Sequence, residues 1–99
     1  MAGEQDNRVV EIPAGRPQIS YVADADQWVP RGQVLRCLIE DDEHGELLVY
    51  IDDQELRLQE FGRLLRTYAG WGMRITFVPD DRITDKPEVE VREPDADQE

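Results

Sequence analysis

The sequence predicts a small α+β domain: a mainly antiparallel sheet of three to five strands with one amphipathic helix packed on it. Three observations carry this. Val34 to Glu40 and Glu46 to Ile51 are apolar, β-branched runs separated by the polar, glycine-ending stretch Asp41-Asp42-Glu43-His44-Gly45, the signature of a hairpin. Phe61, Leu64, Leu65 and Tyr68 recur at i, i+3, i+4 and i+7, which places them on one stripe of a helix over 59–69. Met73, Ile75 and Phe77 then alternate with Arg74 and Thr76, the period of a final strand over 72–78.

The chain has 99 residues, the size of one domain, and its 39% hydrophobic content is enough for a modest core. The expected organisation is a disordered start at 1–8, a single domain over 9–79, and a flexible, acidic tail over 80–99. The tail holds two prolines, nine acids and few large apolar residues, so it buries too little to offset its ordering entropy.

Along the domain, Val9 to Ile12 reads as a short strand stopped by Pro13 to Pro17, and Ile19 to Val22 as another. Asp24 to Gly32, with Trp28, Pro30 and Gly32, reads as an irregular connection. In the hairpin, Leu35, Cys37 and Ile39 share one face, as do Leu47, Val49 and Ile51, with Leu48 and Tyr50 opposite. Neither face is purely polar, so both are expected to be partly covered. A turn at Asp52 to Gln54 leads to an extended piece at Glu55 to Leu58. Gly70 stands where a left-handed helix cap belongs, and Arg66 lies in the last turn, where a cation suits the helix dipole. Gly62 costs up to about 1 kcal/mol relative to alanine inside a helix, which suggests a close backbone contact there.

Residues 51–75, running from Ile51-Asp52-Asp53 through Glu60-Phe61-Gly62-Arg63-Leu64-Leu65 to Tyr68-Ala69-Gly70-Trp71-Gly72-Met73-Arg74-Ile75, resemble a group of small uncharacterised bacterial proteins with a domain of unknown function. The resemblance covers about a quarter of the chain. It implies the order strand, helix, strand, and no substrate, cofactor or catalytic residue.

Charge is the most informative feature for function. With 23 acids against 11 bases the net charge is −12, which repels nucleic acid and anionic membranes at long range. The charge is segmented: residues 1–55 carry 13 acids and 4 bases, residues 56–78 one acid and four arginines, residues 79–99 nine acids and three bases. A basic island of Arg57, Arg63, Arg66 and Arg74 thus lies between acidic flanks. Arginine suits bidentate contact with carboxylates, and Trp71 beside it is a common hot-spot companion.

Chemistry finds little support. Cys37 lies mid-strand between apolar neighbours, where nothing stabilises a thiolate. His44, the one histidine, lies in the acidic loop, and Ser20 has no nucleophile-elbow context. Counting a calcium loop from Glu40 puts Gly45 at the sixth position but Ile51 at the twelfth, where a bidentate acid is required. Zinc needs more cysteine and histidine than the chain has. No metal, cofactor or catalytic residue is expected.

The reading is a non-catalytic protein-interaction module that uses Arg57, Arg63, Arg66, Trp71 and Arg74, with the tail shielding that surface or engaging a basic partner. The alternative is an acidic inhibitor of antitoxin, immunity or nucleic-acid-mimic type that presents Asp41, Asp42 and Glu43 to a basic partner. A small enzyme ranks third. A protein partner is expected, nucleic acid and membrane are not, and the oligomeric state is open. One cysteine and a polar, acidic start make the cytoplasm the expected location.

Overall fold

The computed structural model describes residues 8–93, and its five strands and one helix make the α+β class. Strands β1 (Ile19–Val22) and β2 (Gln27–Pro30) form one antiparallel pair, with Ile19 opposite Pro30 and Tyr21 opposite Trp28. Strands β3 (Leu38–Asp41), β4 (Leu47–Ile51) and β5 (Gln54–Arg57) form a second, antiparallel sheet in the order β3-β4-β5. Helix α1 (Leu58–Leu65) follows β5 directly and packs against β2 as well as β4 and β5, so it joins the two sheets.

The expected strand at Ile19–Val22 and the hairpin within 34–51 both form. The hairpin's first arm is shorter than expected, because Val34 makes an isolated parallel bridge to Glu11 and residues 35–37 lie outside any strand. The same bridge is what remains of the expected strand over 9–12. Asp24 to Gly32 is a correction: its second half is β2. Trp28 and Val29 are good strand residues, and Pro30 sits at the strand end, where its missing N–H breaks no ladder. The turn before it is made by Asp26 in the left-handed region (φ 54°), which accepts a hydrogen bond from the Tyr21 hydroxyl.

The core consists of Ile19, Val49, Ile51, Leu56 and Leu64, with Trp28, Leu35, Cys37, Phe61 and Leu65 packed around it. Val49 and Ile51 therefore occupy the inner face of β4, as their alternation predicts. The helical stripe is also as predicted, with Leu64 fully buried and Phe61, Leu65 and Tyr68 half-buried. Glu60 accepts the Arg57 N–H at 2.9 Å and fixes the helix start. The helix tightens into a 3-10 turn at Arg66–Tyr68, and Gly70 (φ 92°) provides the left-handed stop.

Two expectations fail. Gly62 makes no close contact: a Cβ there would meet nothing within 4 Å. The glycine that a close approach requires is Gly32, whose Cβ would lie 2.9 Å from the Val10 carbonyl oxygen. The expected final strand over 72–78 is also absent. After Gly70 the chain has no regular structure up to Pro79, and Met73, Ile75 and Phe77 are 63%, 62% and 78% exposed. Alternation makes this segment competent to be a strand, but all five strands present are partnered by their own hairpin neighbours and none is paired with it.

Of the expected disordered start, only Arg8 is among the described residues; of the expected tail, residues 94–99 lie outside them. The described part of the tail contains a short 3-10 turn at Asp80–Arg82 and is otherwise without regular structure. Among the described residues no helix is long and apolar enough to cross a membrane.

Candidate interaction surface

The arginines of the basic island do not act as one group. Arg57 ends β5, and its guanidinium reaches Glu46 at 3.4 Å and Asp42 at 3.9 Å across the sheet. It neutralises the protein's own hairpin. Arg63 and Arg66 project from the exposed side of the helical segment, three residues apart and so neighbours on its surface. Neither is in an ion pair among the described residues, and the same holds for exposed Arg74. Trp71 is 64% exposed, held edge-on against Tyr68 with ring centroids 5.1 Å apart. Its backbone N–H donates to the Tyr68 carbonyl at 2.8 Å, and the Tyr68 hydroxyl donates to the Gly32 carbonyl at 3.1 Å. The tryptophan is therefore anchored to the fold through Tyr68 while most of its ring faces solvent.

The described tail does not engage these arginines. Two of its cations pair locally, Arg82 with Asp85 and Arg92 with Glu90, both at 3.0 Å.

The acidic alternative divides in a similar way. Asp41 and Glu43 are exposed. Asp42 is committed to the turn: one carboxylate oxygen accepts the N–H groups of His44 and Glu46 at 2.8 and 2.9 Å, and Gly45 takes the left-handed position at φ 82°. These hydrogen bonds, that from Glu46 first, together with the charge of Arg57 hold the Asp42 carboxyl below the usual carboxylate range. Its charge serves the hairpin.

Among the described residues, the most buried polar residue carries no signal in the sequence pattern. Gln18 is 4% exposed. Its side-chain amide donates to the Arg36 carbonyl and to Asp52, both at 3.1 Å, and its side-chain oxygen accepts the Arg36 N–H at 2.7 Å. Its own backbone N–H donates to Asp52 at 2.8 Å. Asp52, at φ 58° in the β4–β5 turn, thereby ties the two sheets together. Arg36 extends the link by donating to Glu11 and to the Ile12 carbonyl at 2.9 and 2.8 Å. A lone Gln between Pro17 and Ile19 carries no periodic signal, so only the fold reveals it.

Next to this network lies an open hollow of about 490 Å³, lined by Arg16, Pro17, Ile19, Trp28, Arg36 and Asp52 among others. Neither Cys37 nor His44 lines it. Cys37 is half-buried, and burial, reinforced by the Asp52 charge, pushes its thiol up to about 11. Among the described residues, no group of three or more His, Cys, Asp or Glu converges as a metal site would require.

The fold thus defines a small α+β domain: two antiparallel sheets joined through one helix, with an arginine-bearing face and an exposed apolar arm. The chain belongs to the family described as Domain of unknown function (DUF7713), whose model matches residues 18–81. That span holds both sheets, the helix and the segment 72–78 after it. No curated protein and no solved structure matches the chain.

Proposed function

We propose that the protein is a non-catalytic interaction module whose partner-binding face is the Arg63/Arg66 side of the helical segment together with Trp71. One observation carries the reading. In a chain with 23 acids, two neighbouring arginines stand exposed without an ion pair among the described residues, and a largely exposed tryptophan follows five residues after the second. Uncommitted guanidinium groups and an exposed aromatic ring suit a partner that offers carboxylates and an apolar side chain. Arg57 is no longer part of this face, because it is spent on Asp42 and Glu46. The proposed setting is the bacterial cytoplasm, supported by the resemblance of residues 51–75 and by a lone thiol.

The test is affinity capture from source-cell lysate, comparing the wild type with Arg63→Glu/Arg66→Glu. A partner captured by the wild type and lost by the reversal supports the proposal. Equal capture by both excludes this face.

The acidic-inhibitor reading keeps one supporting observation, the exposure of Asp41 and Glu43 at the hairpin tip. It predicts a basic partner that is lost on Asp41→Asn/Glu43→Gln and indifferent to the arginine reversal. Asp42 must stay intact in that experiment, because its removal opens the turn.

A further inference from the structure

The segment 72–78 has the sequence pattern of a strand and no partner. As a strand it would set Met73, Ile75 and Phe77 on one side and Arg74 and Thr76 on the other, and the described residues offer this stretch no backbone hydrogen bond. Three large apolar side chains left in water cost free energy that pairing removes. The segment also lies inside the matched family domain, which runs to residue 81, so it belongs to the domain itself.

The sheet offers a matching edge. The Asp42 N–H donates to the Glu46 carbonyl at 2.8 Å, and an antiparallel ladder alternates from there. Glu40 and Leu38 therefore bond to β4, while the N–H and C=O of Ile39 and Asp41 point to the open side of β3. That edge exposes Leu38 and Ile39 (41% and 53%), and its acids Glu40 and Asp41 are exposed too. Ile39 shares the face of Val49 and Glu40 lies on the opposite face, so the edge offers an apolar neighbour to the row Met73, Ile75 and Phe77 on one face and a carboxylate to Arg74 on the other. Nothing covers it among the described residues.

The arm does not lie on its own chain's edge: among the described residues β3 pairs with β4 alone. A second copy can supply the missing strand. Each chain carries one arm and one open β3 edge, so two copies satisfy both in a closed, two-fold pair.

We propose that residues 72–78 add as a fourth strand to the open β3 edge of a second copy, forming a reciprocal dimer. This deepens the interaction-module reading, on which it rests, by assigning the arm a partner separate from the one sought by Arg63 and Arg66.

Sedimentation equilibrium of the full chain from about 1 µM to about 1 mM tests it. The expected result is a monomer–dimer equilibrium. Ile75→Pro/Thr76→Pro removes an N–H from each side of the arm, and Asp41→Pro removes an outward N–H from the edge while leaving the β4 ladder intact. Each is expected to weaken association by at least about tenfold. An unchanged monomer unfolding curve confirms that the fold survives. An equimolar mixture of the two variants keeps one intact arm on one intact edge, so it is expected to associate better than either variant alone. A wild type that stays monomeric throughout, or a dimer indifferent to both variants, overturns the proposal. So does a monomer whose 72–78 amides are protected from exchange, because the arm would then be closed on its own chain. Arg63→Glu/Arg66→Glu is expected to leave the dimer intact. A lysate partner lost with that reversal from a monomeric wild type would overturn the dimer and leave the interaction face standing.

Discussion

Strand β4 and the segment Met73 to Phe77 are both five residues long, carry large apolar side chains at every second position and contain β-branched residues, yet have opposite fates. Strand β4 is apolar at the intervening positions too, where the arm has Arg74 and Thr76. Leu47–Ile51 lies between two strands, with Val49 and Ile51 buried under the helix, whereas Met73, Ile75 and Phe77 lie mostly in solvent. The difference is in their neighbours. Strand β4 is flanked in sequence by two tight turns, at Asp42–Gly45 and at Asp52–Asp53, each of which delivers a partner strand within a few residues. The arm follows a helix stop and precedes Pro79 and the acidic stretch after it, so neither side supplies a strand. Alternation states that a segment can pair; local turns decide whether the chain pairs it with itself.

Core truncations break this comparison most sharply. Ile51→Ala and Leu64→Ala each remove a fully buried side chain and are expected to cost about 2–5 kcal/mol in chemical denaturation. Phe77→Ala removes a larger side chain from an exposed site. At concentrations where the chain is monomeric it is expected to change stability by no more than about 0.5 kcal/mol. A cost for Phe77→Ala near that of Leu64→Ala would mean that the arm packs on its own domain, and the contrast with β4 would fail.

This division also marks what the sequence made legible. Regular periodicity located the hairpin, the helix and the inner face of β4, because a period identifies a buried face without reference to the partner. It misread residues 72–78 because a strand needs a second strand, and no pattern within the segment names one. Asp24 to Gly32 was misread for the converse reason. Trp28 and Pro30 look like irregular punctuation, but the tight turn closed by Asp26 brings β1 alongside. In the candidate site, exposure of Arg63 and Arg66 followed from their position opposite the apolar stripe. The diversion of Arg57 to Asp42 and Glu46 did not, because it depends on the β4–β5 register that sets Arg57 opposite Leu48. The Gln18 network has no local signature at all, since its partners Arg36 and Asp52 are 18 and 34 residues away.

The two glycines sharpen the comparison between paired and unpaired backbone. Gly32 lies where the segment at Val10–Ile12 docks, and an added methyl would sit 2.9 Å from a carbonyl oxygen and 3.2 Å from the Ile12 side chain. Because backbone has to move, Gly32→Ala is expected to destabilise by about 1–3 kcal/mol. Gly62 faces open space within the helix, so Gly62→Ala is expected to stabilise by up to about 1 kcal/mol through helix propensity alone. Thermal unfolding of the two variants gives shifts of opposite sign if the close contact belongs to Gly32, and the assignment fails if the signs coincide.

The last expected effect is a titration, invisible at neutral pH. Cys37 packs against the core beside β3, and its thiol is held near 11 instead of the usual 9, first by burial and then by the Asp52 carboxylate. Below pH 9 the thiol is protonated in both folded and unfolded chains, so it favours neither. As pH rises past 9 the unfolded chain ionises first, and its stability gain lowers the free energy of unfolding until the folded thiol ionises near 11. Stability of the wild type is therefore expected to fall between about pH 9 and 11 more steeply than that of Cys37→Ala. Alkylation supplies the second readout: the folded thiol is expected to react slowly at pH 8 and to accelerate as pH approaches 11. Fast alkylation at pH 8 without unfolding would place Cys37 in water, on the same side of the comparison as the arm and apart from the core that β4 anchors.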